Sequence, residues 1–490
     1  MNTLTTLALS ALCAALLLGP RIPGPASADP SAPDPRPNVV VVMTDDQTLR
    51  SMHAMPRTRT LIGDAGATFT NSFVSNPRCC PSRATFLTGQ YSHNHGVLTN
   101  GPPSGGWQRL RGTSNWLPTW LRRAGYRTVH VGKFLNGYGR DFPAEVPAGW
   151  DEWYATVDPT TYRYYAYRLN ENGVLRTYGR GRDPEWYSTD FIARRSAEIV
   201  ERLAGQAQPF FLSVAFLAPH TGSPRELGDP AGIGTPAVAP RHRGAFAAAR
   251  LPRPANFDEA DVSDKPSFVR RPRLPPRRVG EIRALYRQQL ESLIAVDEGI
   301  ERIVDALRDA GELERTMIVF TSDNGYLAGE HRLARGKASI YEPAIRVPLM
   351  VRGPGVPRAV RRSQMVGNVD LAATILDIAE AAPGRAQDGR SLLPLARNPQ
   401  LGRDQSLLFE IARGRRMRTT AIRTNRWLYA EHASGARELY DLSTDPNELN
   451  SLHADPRVAG VRAALALRLN ALRRCRGADC RRRGQPRITW

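Results

Sequence analysis

Apolar residues recur along the chain in two patterns, short unbroken runs and longer stripes with a helical period. The runs at 38–44, 209–216 and 316–321 are rich in β-branched and aromatic residues, which is typical of strands buried on both faces. The stripes at 189–204 and 280–310 predict amphipathic helices. A chain of 490 residues with these elements is long enough for one large α/β domain and a smaller one.

The pattern changes beyond residue 396, where the apolar runs become shorter. These runs and a terminal helical stripe predict a small antiparallel sheet followed by a helix. We therefore predict a large domain over 38–395, a smaller subdomain over 396–474 and a basic tail over 475–490. The predicted strands of the subdomain lie at 406–411, 419–423, 427–431 and 438–442, and its predicted helix lies at 456–474.

Two segments of the large domain show no clear period. Residues 151–187 are rich in tyrosine, tryptophan and arginine, which suits either a substrate-lining insertion or an edge hairpin packed on the core. Residues 222–280 are rich in proline and arginine and predict a long irregular excursion over the surface. The charges of this excursion either attract an anionic ligand or are simply solvated, and solvation is the simpler explanation.

The first 28 residues have the pattern of a secretory signal peptide. Residues 7–18 form an apolar run that is too short to span a bilayer, and Ala26-Ser27-Ala28 fits a cleavage site of small residues. A proline-rich lead-in follows over 29–37. No later stretch is long and apolar enough to cross a membrane, so we expect the mature protein to be secreted or otherwise extracytoplasmic, without a membrane span.

The chain is strongly basic, with a formal net charge of +20. This charge is compatible with nucleic acid, with an acidic polymer or with a compositional bias of the genome. Bias explains much of it, because 64 of the 67 basic residues are arginine. We predict no nucleic-acid partner. The three lysines, Lys133, Lys265 and Lys337, are candidates for places that need a compact ammonium group.

Four of the five cysteines remain after the predicted cleavage. Cys475 and Cys480 are five residues apart around a glycine, which suits a local disulfide in an oxidising compartment. Half of a zinc site is the alternative, although no second cysteine or histidine pair lies nearby in the sequence. Cys79 and Cys80 are left without a partner, which favours a chemical role for this pair.

Acidic and amide side chains follow two of the predicted buried strands. Asp45 and Asp46 come directly after the first strand, and Asp323 and Asn324 follow the strand at 316–321. Sites of α/β proteins lie at the carboxyl ends of their strands, so we expect these four side chains to meet. Oxygen ligands with three carboxylates favour Ca²⁺, with Mg²⁺ as second choice, and disfavour zinc.

The segment Cys79-Cys80-Pro81-Ser82-Arg83 opens a predicted helix and resembles the signature at which sulfatases convert a cysteine to formylglycine. Cys79 is the residue in register, because it has proline at +2 and arginine at +4. The resemblance implies maturation by a formylglycine-generating enzyme. It also implies that Arg83 orients and stabilises the hydrated aldehyde, and that this group adds another oxygen ligand to the cation.

Hydrolysis of a sulfate ester explains why an aldehyde is useful at this position. The nucleophile must attack sulfur and later shed sulfate without a second attack at sulfur. A hydrated aldehyde has two hydroxyl groups on one carbon, so one accepts the sulfuryl group and loss of a proton from the other expels sulfate. An ordinary serine has only one hydroxyl group and cannot release sulfate by this elimination.

Three further residues resemble sulfatase positions. Lys133 follows a glycine at the end of a predicted strand and is expected to contact the sulfate and the formylglycine oxygen. His220 lies in a proline turn after the strand at 209–216, where the family places the histidine that protonates the leaving alcohol. Lys337 resembles the lysine that contacts a sulfate oxygen near the leaving group. Two of the three lysines therefore fall on family positions.

Position 135 departs from many arylsulfatases, which have there a histidine assigned to the elimination step. This chain has Leu135 followed by Asn136, as does the N-acetylglucosamine-6-sulfatase branch that it most resembles. The elimination base is therefore left open. The expected substrate is a 6-sulfated N-acetylglucosamine unit of a glycosaminoglycan or a related sulfated carbohydrate, with aryl sulfates as simpler candidates.

The resemblance extends over about 38–475 and implies an alkaline-phosphatase-like fold. In this fold a mixed sheet is sandwiched between helices and carries a smaller C-terminal α+β subdomain. The implied activity is that of an exported, calcium-dependent sulfuric ester hydrolase. Two alternatives remain at this point: a hydrolase of phosphate or phosphonate monoesters on the same fold, and a catalytically dead protein that binds acidic polymers.

Overall fold

The structure is a computed structural model that describes residues 34–481, apart from residues 227, 399, 403 and 404. The predicted signal peptide at 1–28 therefore lies outside the described residues, as do residues 29–33 of the lead-in and residues 482–490 of the tail. The described part of the chain contains sixteen strands. In chain order they are β1 (Asn38–Thr44), β2 (Ala67–Phe69), β3 (Ser72–Phe73), β4 (Arg127–Gly132), β5 (Glu152–Thr156), β6 (Tyr167–Glu171), β7 (Val174–Tyr178), β8 (Phe210–Ala215), β9 (Thr316–Ser322), β10 (Leu349–Arg352), β11 (Val360–Arg362), β12 (Val366–Gly367), β13 (Leu407–Arg413), β14 (Arg416–Arg423), β15 (Trp427–His432) and β16 (Arg437–Asp441).

Ten of these strands form one mixed sheet in the order β11-β2-β10-β9-β1-β8-β4-β5-β6-β7. The five central strands, from β9 to β5, are parallel to one another. Antiparallel pairs lie at both edges, where β10 joins β9 and β6 joins β5. The unbroken valine run of β1 is buried on both faces of this sheet, as its composition predicts.

Ten α-helices and short helical turns pack on the sheet or connect its strands. They are α1 (Pro56–Thr58), α2 (Cys79–Thr88), α3 (Ser92–His95), α4 (Leu117–Arg123), α5 (Ser188–Leu203), α6 (Pro276–Asp309), α7 (Glu342–Ile345), α8 (Leu371–Ile378), α9 (Leu393–Arg397) and α10 (Ala459–Leu472).

Helices cover both faces of the ten-stranded sheet. Val40 and Val42 of β1 belong to a hydrophobic cluster with side chains of α5 and α6, whereas Val39 and Val41 belong to a cluster with side chains of α2, α4 and α8. Alternate residues of a strand point to opposite faces, so one strand serves both layers. The predicted α/β class, a mixed sheet sandwiched between helices, is confirmed.

The C-terminal part forms a second sheet, in the order β13-β14-β15-β16, with every neighbouring pair antiparallel. Helix α10 packs on it through side chains such as Leu465 and Leu469. The small antiparallel sheet and its helix were both predicted. Cys475 and Cys480 form a disulfide in the structure, which confirms that prediction, and Cys79 and Cys80 are free thiols.

The aromatic segment at 151–187 forms the edge of the large sheet through β5, β6 and β7. Tyr164, Tyr165 and Tyr167 are buried in the core, so their rings are not available to stack on a ligand. The edge-hairpin interpretation is therefore the right one for these three residues. The irregular excursion predicted over 222–280 is also present, since its described residues form only one 3₁₀ turn before α6 begins. No helix within the described ranges is long and apolar enough to cross a membrane.

Candidate active site

Four neighbouring parallel strands deliver side chains to one edge of the large sheet. These strands stand in the order β9-β1-β8-β4, so their carboxyl ends lie side by side. Chains leaving such ends form the ligand sites of α/β folds. The residues that follow the four ends are Asp323 and Asn324 after β9, Asp45 and Asp46 after β1, His220 after β8, and Lys133 after β4.

The close approach of β4 and β8 explains the glycine that precedes Lys133. Gly132 has φ of 104°, and a Cβ at this position would lie 2.1 Å from the carbonyl oxygen of Ala215. Only glycine fits so close to a neighbouring backbone. The Lys133 amide then donates a hydrogen bond to the same oxygen at 2.9 Å, which fixes where the lysine leaves the strand.

Helix α2 begins at Cys79 and places it beside the acidic pair. The Cys79 Sγ lies 3.2 Å from Asp45 Oδ1, and both residues are fully buried. Arg83 is one helical turn further on and faces the same way. Its Nε donates to Asp323 Oδ2 at 2.7 Å, and its Nη1 donates to the carbonyl oxygen of Lys133 at 2.7 Å.

Both site lysines are buried against carboxylates. Lys133 forms an ion pair with Asp45, and Lys337 forms one with Asp46. The Lys337 Nζ also donates to Cys79 Sγ at 2.8 Å. With Asp323 and Arg83 added to these two ion pairs, the site holds three carboxylates and three cationic groups. A divalent cation added to this balanced set would leave a net positive charge that favours an anionic group.

Burial and the neighbouring Asp45 carboxylate raise the pKa of the Cys79 thiol to about 12. Cysteine attacks as its thiolate, so the unmodified side chain is a poor nucleophile at neutral pH. Burial by itself would also raise the pKa of Asp45, but the positive charges of Lys133, His220 and Lys337 outweigh it and hold that pKa far below its usual range.

His220 lies at the more open side of the site, with about 16% of its side chain exposed. Its Nε2 is 3.6 Å from Asp46 Oδ2, and its Nδ1 is 2.8 Å from the carbonyl oxygen of Thr221. This carbonyl can only accept, so Nδ1 carries a proton and Nε2 faces the site. Burial lowers the pKa of His220 although the two aspartates oppose the shift.

The residues present fit a cation held by oxygen atoms. Asn324 donates from Nδ2 to Asp46 Oδ1 at 2.5 Å, while its buried Oδ1 has no hydrogen-bond partner among the described residues. A buried carbonyl oxygen without a partner is costly unless a ligand satisfies it. Potential ligand atoms of Asp45, Asp46, Cys79 and His220 also lie within 4.8 Å of one another. Asp323 joins them through Arg83 and through the Asp46 amide, which lies 3.3 Å from Asp323 Oδ1.

A pocket of about 420 Å³ adjoins the site through Tyr162. The Tyr162 ring lies 4.5 Å from Lys133 Nζ and 4.5 Å from the His220 ring, both measured to its centroid. Its hydroxyl group is hydrogen-bonded to Asn136, whose buried Oδ1 has no partner among the described residues. Leu135 is buried in the apolar core, so position 135 supplies no proton acceptor. Sequence reasoning noted Leu135-Asn136 as a family feature but did not find this pocket.

A buried ionic network around His331 holds the loop that presents Lys337, and sequence reasoning missed it. The His331 Nδ1 lies 2.6 Å from Glu259 Oε2, and its Nε2 lies 3.8 Å from Glu448 Oε2. The two glutamates come from the irregular excursion and from the C-terminal subdomain. Because three remote segments meet at one imidazole, we infer that His331 positions the loop rather than reacting.

The His331 network predicts a stability that falls in alkaline solution. The two glutamates raise the pKa of His331 to about 9 although burial opposes them. A pKa raised by folding stabilises the protein below the unfolded value, and this contribution is lost as pH rises through the folded value. Between pH 6.5 and 9.5 we expect the wild type to lose about 3 kcal/mol more unfolding free energy than His331→Gln.

Denaturant unfolding at several pH values measures this difference. His53→Gln is the matched control, because His53 is exposed and has a backbone carbonyl and the edge of the Phe246 ring as neighbours, without a carboxylate among the described residues. The control should follow the wild-type pH dependence. Parallel curves for the wild type and His331→Gln would contradict the assignment of a charged, buried imidazole.

Comparison with known proteins gives consistent family matches. A family model described as "Sulfatase" matches residues 37–381, and one described as "N-sulphoglucosamine sulphohydrolase, C-terminal" matches residues 329–475. The chain is 35% identical to an arylsulfatase of Volvox carteri, over 91% of this chain and 76% of that protein. It is 37% identical to the N-acetylglucosamine-6-sulfatase of Homo sapiens, over 74% of this chain and 64% of that protein.

A solved structure shares the fold. It is described as a complex with its substrate D-glucosamine-2-N,6-O-disulfate, and it superposes on this chain with a TM-score of 0.71. The superposition covers 93% of this chain and 100% of the other, at 24% sequence identity.

Proposed function

The chain belongs to the sulfatase family, and from this premise we propose that it cleaves sulfate esters of carbohydrates with a formylglycine made from Cys79 and a bound Ca²⁺ ion. It is a sulfuric ester hydrolase by its family. The observation that carries the finer proposal is the convergence of Asp45, Asp46 and Lys337 on the thiol at position 79. We place the mature enzyme outside the cytoplasm, after signal-peptide removal and after contact with a formylglycine-generating enzyme.

Position 79 carries the nucleophile in this proposal. When hydrated, the aldehyde supplies one hydroxyl group to attack sulfur and a second whose deprotonation expels sulfate. Arg83 is already fixed by two hydrogen bonds, and its Nη2 has no hydrogen-bond partner within the described part of the chain. This free donor can hold an oxygen at position 79 or one on sulfur, which suits its proposed role of orienting the hydrate.

The proposed cation ligands are the oxygen atoms of Asp45, Asp46, Asp323 and Asn324, together with the oxygen of the converted Cys79. The ion, when bound, neutralises charge on the sulfate oxygens and lowers the pKa of the attacking hydroxyl group. Three carboxylates and an amide are hard oxygen donors, which favour Ca²⁺ and then Mg²⁺. Conversion of Cys79 matters to this choice, because it replaces a sulfur donor with oxygen.

Lys133 and Lys337 flank position 79 and are proposed to bind the sulfate group. Both ammonium groups keep their charge, because nearby carboxylates raise their pKa although burial opposes the shift. His220 is proposed to protonate the leaving alcohol from Nε2, since its position at the open side of the site faces incoming substrate. The lowered pKa of this imidazole makes it a ready proton donor once it is charged.

The alcohol side of the ester is proposed to be a sugar with a 6-sulfated N-acetylglucosamine unit. The pocket beside Tyr162 supports this choice, because its volume lies in the range of roughly 300–1,000 Å³ that is usual for small-molecule sites. Its polar lining includes Asn136, with a free buried acceptor, as well as Asn100 and Asp158. Hydroxyl groups of a sugar can satisfy such groups, whereas an unsubstituted aryl ring cannot.

A panel of three substrates tests the proposal. N-acetylglucosamine-6-sulfate, an aryl sulfate and a phosphate monoester are compared by kcat/KM, with released sulfate or phosphate as the readout. We expect turnover of the sugar sulfate and a higher kcat/KM for sulfate than for phosphate esters. Turnover of the aryl sulfate alone would remove the sugar proposal. A preference for phosphate would favour the phosphohydrolase alternative, and salt-sensitive binding without any turnover would favour a dead binder.

A further inference from the structure

An arginine cluster lies beside the loop that leads into the active site. It consists of Arg78, Arg271, Arg413 and Arg418, which come from three distant segments. We propose that this cluster binds a second acidic group, a sulfate or a carboxylate, on the same carbohydrate chain whose sulfate ester is cleaved. The inference rests on the proposed function and narrows it, because it makes a multiply charged oligosaccharide the preferred substrate.

The hairpin of β13 and β14 brings two of the cluster residues to this place. The Glu410 amide donates to the carbonyl oxygen of Ser75 at 2.9 Å, which sets β13 beside the segment that leads to Cys79. At the tip of the hairpin, the Ser104 hydroxyl donates to the carbonyl oxygen of Gly414. The same loop lines the pocket beside Tyr162 through Gly101, Pro102, Gly105 and Gly106, so the basic hairpin lies next to the proposed sugar site.

Two contacts fix parts of this cluster without an ion pair, one to the side chain of Arg418 and one to the backbone of Arg271. The Arg418 guanidinium lies 3.8 Å from the centroid of the Phe268 ring, which is a stacking contact. The Arg271 carbonyl accepts a 2.7 Å hydrogen bond from Arg332, which ties the excursion to the loop of Lys337. The stacked guanidinium of Arg418 therefore loses less conformational entropy on binding than an unrestrained one would.

The four guanidinium groups have no neighbouring carboxylate among the described residues to compensate their charge. In the described part of the chain, none of them has a carboxylate oxygen within 4.0 Å, although many other arginines do. Burial and the charges of Arg413 and Arg271 lower the pKa of Arg418. Arg271 and Arg413 are exposed, whereas Arg78 and Arg418 are partly buried, so the last two have lost part of their solvation without gaining a carboxylate from the described segments.

The position of the cluster suits a second anion on the substrate. Arg78 immediately precedes Cys79, so a ligand at the cluster lies next to the reacting group. Arginine forks match the oxygens of sulfate and carboxylate with two parallel hydrogen bonds. A neutral sugar can accept hydrogen bonds from such groups but gains no charge-assisted pair. The cluster therefore distinguishes a polyanionic chain from a sulfated monosaccharide.

The test replaces Arg413 and Arg418 together by glutamine. Arg78 is left unchanged because it adjoins Cys79. With a heparin-derived tetrasaccharide we expect KM to rise about tenfold while kcat stays the same, because charge-assisted hydrogen bonds are lost in binding. With N-acetylglucosamine-6-sulfate we expect no change in KM. The pair Arg413→Lys and Arg418→Lys keeps the charge without the fork, so its KM should rise less.

The matched control removes the same number of charges elsewhere. Arg302 on α6 and Arg361 on β11 are exposed, so Arg302→Gln with Arg361→Gln should leave KM for the tetrasaccharide unchanged. A tetrasaccharide with its carboxylates reduced to alcohols separates the two acidic groups. If the glutamine pair still raises KM about tenfold for this reduced tetrasaccharide, sulfate is the ligand of the cluster. If the glutamine pair no longer raises KM, carboxylate is the ligand.

Two results would overturn the inference. One is an unchanged KM for the tetrasaccharide in the glutamine pair, and the other is an equal rise in the control pair. If the wild type releases no sulfate from either sugar, the proposed function fails instead. Calorimetry then tests the arginine cluster independently of turnover. The affinity for the tetrasaccharide must still fall about tenfold in the glutamine pair and must stay unchanged in the control pair.

Discussion

Cys79→Ala should lower kcat/KM for sulfate esters by at least about 10⁴-fold, because it removes the atom on which the proposed nucleophile is built. The remaining site would still attract the anion through Lys133, Lys337 and Arg83. Substrate binding should therefore be weakened far less than turnover. Sulfate release measures the turnover, and equilibrium binding of the ester to the inactive variant measures the affinity.

Cys80→Ala is the matched control. Cys80 is the neighbouring thiol on the same helix and is equally buried, but it has proline at +1 rather than +2. We expect this variant to keep most of the activity, with a loss of stability of about 1 kcal/mol from the small cavity. A fully active Cys79→Ala, or an inactive Cys80→Ala that is still folded, would contradict the choice of nucleophile.

Asp46→Asn should be the second most damaging change. One oxygen of this carboxylate contacts Lys337 and Asn324, and the other faces His220. Asparagine keeps the shape but removes a charge from the proposed cation site. We expect kcat/KM to fall about 10³-fold and half-maximal activation to need at least about 100-fold more Ca²⁺. Activity titrated with Ca²⁺ after treatment with a chelator measures both effects.

Asp64→Asn controls for the loss of a carboxylate, because Asp64 is exposed on the surface. Its Ca²⁺ titration should match that of the wild type. For the wild type, Ca²⁺ should restore more activity than Mg²⁺. Full activity in the presence of chelator would contradict the cation site, and restoration by Zn²⁺ alone would contradict the assignment of an all-oxygen set of ligands.

The order of strands explains how much of the site could be predicted from the sequence. Asp45, Lys133, His220 and Asp323 each follow an apolar run, and the carboxyl ends of neighbouring parallel strands must meet. The pattern of apolar residues locates the strands, and the rule that sites lie at the carboxyl ends of parallel strands identifies the residues that follow them. Neither specifies that β9, β1, β8 and β4 are adjacent, because adjacency depends on contacts between segments far apart in the chain.

The aromatic segment at 151–187 shows where composition misleads. Tyrosine lines sugar sites and also fills the edges of cores, so its abundance does not distinguish the two. Tyr164 and Tyr167 are buried, and Tyr162 alone among the tyrosines named here lies against Lys133. The difference arises from the turn between β5 and β6, which no local pattern encodes.

The His331 network and the arginine cluster could not be found from the sequence for a related reason. His331 stands in a polar loop, and its partners Glu259 and Glu448 are remote in the chain. Arg78 and Arg418 likewise stand in segments that look like ordinary basic surface. Only the tertiary contacts reveal that His331 is buried beside two carboxylates, whereas the arginine cluster has no carboxylate of the described chain beside it.

The mass of the peptide that contains Cys79 tests the central claim most directly. In protein from its native host, conversion of the thiol to the aldehyde should lower the mass of this peptide by about 18 Da relative to cysteine, because oxygen replaces sulfur and two hydrogen atoms are lost. The account predicts this lighter peptide and an unchanged thiol at Cys80. A catalytically active preparation in which Cys79 is entirely a thiol would contradict the account.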